Sequence, residues 1–218
     1  MLPEANICVG EPARDCSLCP RLVAYRQSNA AAHPDWFNGA VAGFGSRDAQ
    51  FLVVGMAPGV RGANRTGRPF TGDHAGILLF QSLLRFGFAT GQYHADPADG
   101  LTLQNCRIVN AVRCVPPANL PTPVEIKMCK PFLATELASM GAVRVVLALG
   151  LLAHAAVMRA CGLPLARHKF AHGALHAMPG GWTLANSYHV SRYNTNTGRL
   201  TTPMFEAVLA DIRRVVDA

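Results

Sequence analysis

The chain has 218 residues, half of them hydrophobic, and a formal net charge of +7. The apolar fraction excludes a wholly disordered chain. No run of about 18 apolar residues predicts a transmembrane helix, and the N-terminus lacks the basic and apolar regions of a secretory signal. Most of the cations are arginine, which suits a polyanionic partner because a guanidinium group binds two phosphate oxygens at once.

Predicted strands and helices alternate along most of the chain. Helical spacing covers 16–30, 73–87, 122–140, 151–162 and 202–218, and buried strands are predicted at 49–56, 106–112 and 143–150. Two further short strands, 174–178 and 182–189, flank a Pro-Gly-Gly turn. Asp73 is a predicted N-cap, and Thr122 with Glu125 forms a predicted capping box. This alternation indicates a parallel sheet covered by helices on both faces.

Three polar loops follow strand ends in this scheme, at 55–73, 110–123 and 189–200. Ligands of such sheets bind beyond the carboxyl ends of the strands. We therefore expect the three loops to face one cleft. The loop at 55–73 contains no lysine and lacks the Gly-Lys-Ser/Thr ending of a P-loop, which disfavours a nucleotide-binding enzyme.

Four of the seven cysteines have a spacing that suits a metal centre. Cys16 and Cys19 form a C-x2-C pair, and Cys114 and Cys129 flank a proline-rich loop. Four sulfur ligands fit either zinc or an iron–sulfur cluster, and the sequence chemistry alone does not choose between them. In an intracellular chain this pattern indicates a metal rather than disulfides.

Several of these segments together resemble one family. The stretches are "GMAPG" at 55–59, "NRTGRPFTGD" at 64–73, "NAVRC" at 110–114 and "HVSRYNTNTGRLT" at 189–201, combined with the four-cysteine pattern. They resemble family 5, the type B enzymes, of the uracil-DNA glycosylase superfamily. The resemblance extends from Cys16 to about Thr201.

The resemblance implies a three-layer α/β/α fold around a central, mainly parallel four-stranded sheet. It implies a single domain spanning 1–218, with the N-terminal cysteine-bearing segment packed against it. It also implies an enzyme that flips uracil, and other deaminated bases such as hypoxanthine or xanthine, out of damaged DNA and hydrolyses the N-glycosidic bond. We further expect a cytoplasmic monomer that does not bind membranes.

By position in the motifs, the resemblance assigns roles to individual residues. A [4Fe–4S] cluster, favoured over zinc, would be held by Cys16, Cys19, Cys114 and Cys129. The catalytic residues would be Asp73, Asn110 and His189. The base would contact Gly55, Met56, Ala57, Phe70 and Asn110. The chemistry of two loops adds candidates that the resemblance itself does not assign: Arg65, Arg68, Ser191 and Asn196 for contacts with the DNA backbone, and Arg192 or Tyr193 for the gap left by the flipped base.

Two departures from the commoner glycosylase pattern bear on the mechanism. Met56 stands where the commoner families place an acid or amide, so a water cannot be activated from that position. Val190 stands where a proline is usual, which removes a rigid turn before Ser191. The absent acid keeps a second hypothesis open, a non-catalytic, metal-stapled module that binds damaged DNA.

Each assigned residue also has a structural interpretation. Asp73 could serve as a helix cap alone, and Asn110 could form a turn at the end of its strand. Phe70 could belong to the core, and His189 could be a buried histidine satisfied by its neighbours. Their contacts in the folded protein distinguish these alternatives.

Overall fold

The computed structural model describes residues 10–218; Cys8 and the rest of residues 1–9 lie outside the described part of the chain. Its central sheet contains β1 (Phe51–Gly55), β4 (Cys106–Asn110), β5 (Val145–Leu149), β6 (Leu175–Ala177) and β7 (Thr183–Ser187), in the order β4-β1-β5-β7-β6. The first four strands in this order pair in parallel, and β6 pairs antiparallel with β7. A separate antiparallel pair joins β2 (Ala89–Thr90) and β3 (Thr102–Leu103).

The prediction of a mainly parallel α/β/α fold is confirmed, but the prediction of four strands is wrong. The fifth strand, β6, lies within the short strand predicted at 174–178 and forms the edge of the sheet through the hairpin that leads into β7. Gly180 and Gly181 both have positive φ in its turn, at 104° and 82°. A tight turn of this kind reverses the chain directly, whereas a parallel neighbour would need a long crossover.

The described part of the chain contains seven α-helices. They are α1 (Pro20–Ala32), α2 (Ala63–Thr66), α3 (His74–Arg85), α4 (Pro123–Ser139), α5 (Leu151–Ala160), α6 (Arg192–Asn196) and α7 (Thr202–Asp217), with short 3-10 turns at Pro117–Asn119 and Leu165–Arg167. The predicted capping box of α4 is present: Thr122 Oγ1 accepts from Glu125 N, and Glu125 Oε2 accepts from Thr122 N. The helices α2 and α6 are too short to show a periodic pattern in the sequence.

Alternate residues of each strand build two separate cores. Phe51 and Val53 of β1 face α3 and α7, whereas Leu52 and Val54 face α4 and α5. All four side chains are fully buried. This arrangement follows from the two-residue period of a strand, and it explains why strands covered on both faces are continuously apolar.

No helix within residues 10–218 is long and apolar enough to cross a membrane.

A buried ionic network ties β4 to α4. Glu136 Oε1 accepts from Arg107 Nε at 2.5 Å, and Glu136 Oε2 accepts from Arg113 Nη2 at 3.2 Å. The three side chains are at most 6% exposed. Burial raises the pKa of Glu136, but the two guanidinium groups outweigh this effect and hold that pKa below its ordinary value. Glu11 adds a second carboxylate to Arg107 at 2.7 Å.

We expect Glu136→Gln to destabilise the protein strongly, because it leaves two buried guanidinium groups without their shared carboxylate. The expected loss in the free energy of unfolding is about 3–5 kcal/mol. Glu206→Gln, which removes the partner of the exposed Arg85, is the control and should cost about 0–1 kcal/mol. Urea unfolding of the two variants measures both values. Equal losses would show that the network does not stabilise the fold.

Candidate active site

A cleft of about 550 Å³ lies beyond the carboxyl ends of the parallel strands. The register of the sheet puts Gly55 directly opposite Asn110 at this edge. All three polar loops predicted to meet here contribute to the lining. Its walls are formed by Met56, Ala57, Pro58, Gly59, Val60, Arg61, Gly62, Ala63, Phe70, Asp73, His74, Ala75, Asn110, Asn119, His189, Ser191 and Arg192.

Phe70 is held over the end of β1 by an unusual backbone conformation. Its φ is +55°, in the left-handed region that non-glycine residues rarely adopt. The Tyr93 hydroxyl donates to the Phe70 carbonyl at 3.2 Å, and a side-chain carbon at Gly76 would lie 1.9 Å from the same oxygen. The ring, 7% exposed for the residue as a whole, therefore has a fixed position facing the cleft. Strain of this kind is typical of functional sites.

Asn110 presents an unpaired amide to the base of the cleft. The residue is 3% exposed, and its buried Oδ1 accepts no hydrogen bond from the described residues. A side-chain carbon at Gly55 would lie 2.4 Å from this oxygen and 2.5 Å from Cζ of Phe70. Glycine at position 55 is thus what allows the amide and the ring to approach the same point. An unpaired buried acceptor in a cleft is suited to a ligand that donates a hydrogen bond.

Asp73 occupies the N-cap position of α3, but its side chain makes no capping hydrogen bond. The carboxylate is directed instead toward the loop after β1, since a side-chain carbon at Gly62 would lie 2.2 Å from Oδ2. Its Oδ1 is buried and has no partner among the described residues. Burial raises the pKa of Asp73; the nearby backbone N–H groups of Gly76 and Ala75, which do not reach hydrogen-bonding geometry with the carboxylate, oppose this rise by a smaller amount.

His189 faces Phe70 across the cleft, with 6.4 Å between the ring centroids. Burial lowers its pKa, which favours the neutral imidazole at neutral pH. The Asn194 amide donates to the His189 carbonyl at 2.7 Å and fixes the start of the loop. Val190 is fully buried in the core. Core packing of the Val190 side chain therefore fixes the start of the loop, in place of the rigid turn that a proline would impose.

The loop after β7 forms the short helix α6 at the rim of the cleft. Ser191 Oγ caps it by accepting from Asn194 N at 3.4 Å. Arg192, Tyr193 and Asn196 are exposed, Tyr193 by 70%. Ser191 and Arg192 line the cleft itself. The exposed side chains of α6 are therefore free to meet a large ligand that covers the rim.

The prediction that Arg68 contacts DNA is wrong. Its guanidinium is buried, with two hydrogen bonds of 2.8 Å to the carboxylate of Asp99 and one of 2.7 Å from Nε to Thr71 Oγ1. The pKa of Asp99 is correspondingly held well below its usual range.

Arg65, the other arginine predicted to contact DNA from this loop, lies outside the cleft lining and donates to the Arg61 carbonyl at 2.9 Å. The exposed Arg61 lines the cleft in their place.

His74 and Asn119 are polar residues of the cleft lining that the sequence did not assign to the site. His74 Nε2 lies 2.9 Å from Thr195 Oγ1, so this pair joins the start of α3 to α6 across the rim. Asn119 follows Ala118 in the proline-rich loop, and both have positive φ, at 56° and 54°. Neither residue belongs to a recognisable spacing. The proximity of Asn119 to the cleft depends on the path of the loop, which the sequence does not specify.

The four cysteines of the predicted metal centre lie on the side of the central sheet that is covered by α4 and α5. All four pack against the core that contains α4 and α5. Burial is the main cause that raises the pKa of Cys19 to about 11, and Cys129, Glu125 and Cys16 contribute to the same rise. Cys114 is affected by the other three thiols in the same way. Within residues 10–218, however, no three Cys, His, Asp or Glu side chains lie close enough together to bind a single metal ion.

Comparisons with known proteins agree with this geometry. A model of the uracil DNA glycosylase superfamily matches residues 42–213. The chain is 44% identical to a protein named type-5 uracil-DNA glycosylase from Thermus thermophilus, with 92% of this chain and 93% of the relative covered. It is also 39% identical to a type-5 enzyme from Pyrobaculum aerophilum over 89% of this chain and 86% of the relative, and 37% identical to one from Mycobacterium leprae over 98% and 95%. The chain belongs to the uracil-DNA glycosylase superfamily and, within it, to the type-5 enzymes.

Proposed function

We propose that this protein excises uracil from DNA as a monofunctional glycosylase, hydrolysing the N-glycosidic bond and leaving an abasic site. The proposal is carried by one observation: the Phe70 ring lies beside the Asn110 amide at the base of the cleft, and the Oδ1 of that amide has no hydrogen-bond partner among the described residues. A flat ring beside a single amide is suited to one nucleobase. Because the N-glycosidic bond is not reachable inside a duplex, the nucleotide has to be flipped out to enter the cleft.

Asn110 has hydrogen-bonding groups that match a deaminated base. Its Oδ1 accepts and its Nδ2 donates, so together they pair with the adjacent N3–H and O4 of uracil. Hypoxanthine and xanthine present the same donor beside an oxygen, at N1–H and O6. Cytosine and adenine present the reverse pattern. We therefore propose that the substrates include deaminated purines, for which the open cleft has room.

Cleavage of the bond builds positive charge on the sugar and negative charge on the departing base. Asp73 is the anionic group of the cleft that would stabilise the sugar cation or hold the attacking water. Met56, 9% exposed at the edge of the cleft, does neither. We propose a dissociative reaction, in which departure of the base precedes attack by water. The phosphates of the DNA add further negative charge near the cation.

His189 is proposed to stabilise the departing base. A neutral imidazole donates a hydrogen bond to a developing oxyanion without carrying charge itself, and the lowered pKa of His189 favours that form. Its ring faces the same space as Phe70. We therefore propose that His189 lies near an oxygen of the base and that Asp73 lies near the sugar.

The rim of the cleft is proposed to bind the DNA backbone. Ser191 and Asn196 offer polar groups to phosphate oxygens, and the exposed Arg61 offers a cation. Arg192 or Tyr193 would fill the gap left by the flipped nucleotide. We also propose that the protein acts as a monomer in the cytoplasm, a reducing compartment in which its unpaired thiols fit.

We propose that Cys16, Cys19, Cys114 and Cys129 hold a [4Fe–4S] cluster. The donor set fits, since such a cluster takes four thiolates, each on a different iron. Its ligand sulfurs therefore stand farther apart than those around one ion. Cys129 Sγ also accepts a hydrogen bond from Arg113 N at 3.4 Å. The cluster would join the start of α1, the loop after β4 and α4, and would supply structure rather than a step of the reaction.

The test of the proposed function is base release from duplex oligonucleotides that carry one uracil or one hypoxanthine. We expect the wild type to release uracil and to leave undamaged DNA intact. His189→Ala should slow release by about 10²–10³-fold, and Asp73→Asn by about 10²–10⁴-fold. His94→Ala and Asp48→Asn, both at exposed positions, are the matched controls. Binding to the damaged duplex without release of either base would favour the non-catalytic module instead.

The role of Asp73 also predicts a conflict between activity and stability. Because burial raises its pKa, the charged carboxylate is less stable in the folded state than in the unfolded chain. The charge then lowers the free energy of unfolding at neutral pH, an effect that disappears as the pH falls below the ordinary value for Asp. We expect Asp73→Asn to raise the Tm at pH 7 and to lose this advantage in acid.

Thermal unfolding of wild type and Asp73→Asn between pH 3.5 and 8 measures this difference. Asp48→Asn is the control and should leave the Tm unchanged at each pH. A Tm of Asp73→Asn below that of the wild type at pH 7 would mean that the carboxylate stabilises the fold, as a helix cap does.

The proposed cluster predicts a difference between two cysteine substitutions. Cys129→Ser should lower the iron and acid-labile sulfide bound per chain, weaken the brown colour of the cluster by roughly the same fraction, and lower the Tm. Cys161→Ser, at a half-buried position outside the proposed ligand set, should change none of the three. Unchanged colour and stability in Cys129→Ser would contradict the assignment.

A further inference from the structure

The interior beside the four cysteines contains a guanidinium group with no carboxylate partner. Arg26 lies on the inner face of α1 and is 6% exposed. Its Nη1 donates to the Arg14 carbonyl at 2.6 Å, and its Nη2 donates to the Cys16 carbonyl at 2.5 Å. Its Nε is buried and has no partner within residues 10–218. The charge of Arg26 is therefore balanced by no anionic side chain of the described chain.

A buried cation without a counter-ion is costly, because desolvation is not offset by attraction. The groups that surround Arg26 indicate where the counter-ion belongs. Its charge acts on Cys19 and Cys114, two of the proposed cluster ligands. Glu125, the acid that acts on Cys19, is already paired with Arg21 at 2.7 Å and 2.8 Å. The four-cysteine site is therefore the remaining source of negative charge that can balance Arg26.

Arg113, the other guanidinium beside the cysteines, differs from Arg26. Its Nη2 donates to Glu136 at 3.2 Å, so its charge is balanced within the ionic network of β4 and α4. It meets the ligands through its backbone, whose N–H donates to Cys129 Sγ. Arg26 is the buried cation near the sulfurs whose charge remains unbalanced in the described structure.

We propose that Arg26 is the counter-charge of the four-cysteine site and a positioning residue for its C-x2-C loop. This inference rests on the proposed iron–sulfur cluster. Four thiolates carry more negative charge than the cluster core neutralises, so the filled site is an anion that a buried cation stabilises. The two bonds to carbonyl groups hold residues 14–16 against α1, which fixes Cys16 relative to Cys19 at the start of that helix.

The two contributions can be separated by substitution. Arg26→Lys keeps the charge but loses the planar fork that binds two carbonyls. Arg26→Gln keeps a hydrogen-bond donor but loses the charge. Arg26→Met removes both. If charge matters, Gln and Met should behave alike in electrostatic measurements and Lys should resemble the wild type.

The experiment uses full-length protein purified without oxygen, with Arg85→Gln at an exposed ion pair as the control. Iron and sulfide are counted per chain, and the midpoint potential of the cluster is measured by a reductive titration followed by electron paramagnetic resonance. Reduction adds negative charge, so loss of a nearby cation should make it less favourable. We expect a more negative potential for Arg26→Gln than for the wild type, and a potential near that of the wild type for Arg26→Lys.

The rate at which a chelator bleaches the cluster provides a second readout. We expect bleaching to accelerate in the order wild type, Arg26→Lys, Arg26→Gln, Arg26→Met, with Arg85→Gln equal to the wild type. Potentials and bleaching rates that are the same in all variants would overturn the role of Arg26 while leaving the cluster intact. Wild-type protein without iron or sulfide would overturn the cluster proposal itself, so the two failures are distinguishable.

Discussion

The close approach of three groups at the end of β1 is the constraint on which the site depends. Gly55 has no side chain, and a carbon there would lie 2.4 Å from the Asn110 amide oxygen and 2.5 Å from the Phe70 ring. The parallel register of β1 and β4 places Asn110 at that level. The positive φ of Phe70 turns its ring over the same point. Sheet geometry, one glycine and one strained residue thus create a flat space bounded by an amide, which is what recognition of a single base requires.

The charged groups of this protein separate into two classes with different consequences. Arg107, Arg113 and Glu136 are buried and paired, and they join β4 and the residues after it to α4. Asp73 lacks such a partner, and burial raises its pKa. A carboxylate that the fold leaves unpaired is available to a cation that forms during a reaction. Because native proteins are only marginally stable, an unpaired buried charge such as that of Asp73 takes up a large part of the free energy of folding. The paired network of Arg107, Arg113 and Glu136 stabilises the fold that holds Asp73 in place.

Much of the fold was predictable because it follows from local patterns. The apolar run at 51–54 and the capping box of Thr122 specify their elements within a few residues of sequence. The edge strand β6 was also predicted, at 174–178, and only the count of four strands implied by the resemblance left it out of the sheet. The site residues were assigned by motif, and the structure brings Phe70, Asp73, Asn110 and His189 to one cleft. Arg68 was misassigned because composition does not distinguish an exposed arginine from one paired with Asp99, which is distant in sequence.

In the proposed complex, a flipped base stacks on the Phe70 ring and meets the Asn110 amide at its edge. The most direct test is a crystal structure with duplex DNA that contains 2′-fluoro-2′-deoxyuridine, whose fluorine slows cleavage by destabilising positive charge on the sugar. We predict that the uracil lies outside the helix, stacked on Phe70, with its N3–H and O4 bonded to Asn110 and its sugar facing Asp73. A uracil that remains stacked in the duplex, or that lies elsewhere on the protein surface, would contradict this account.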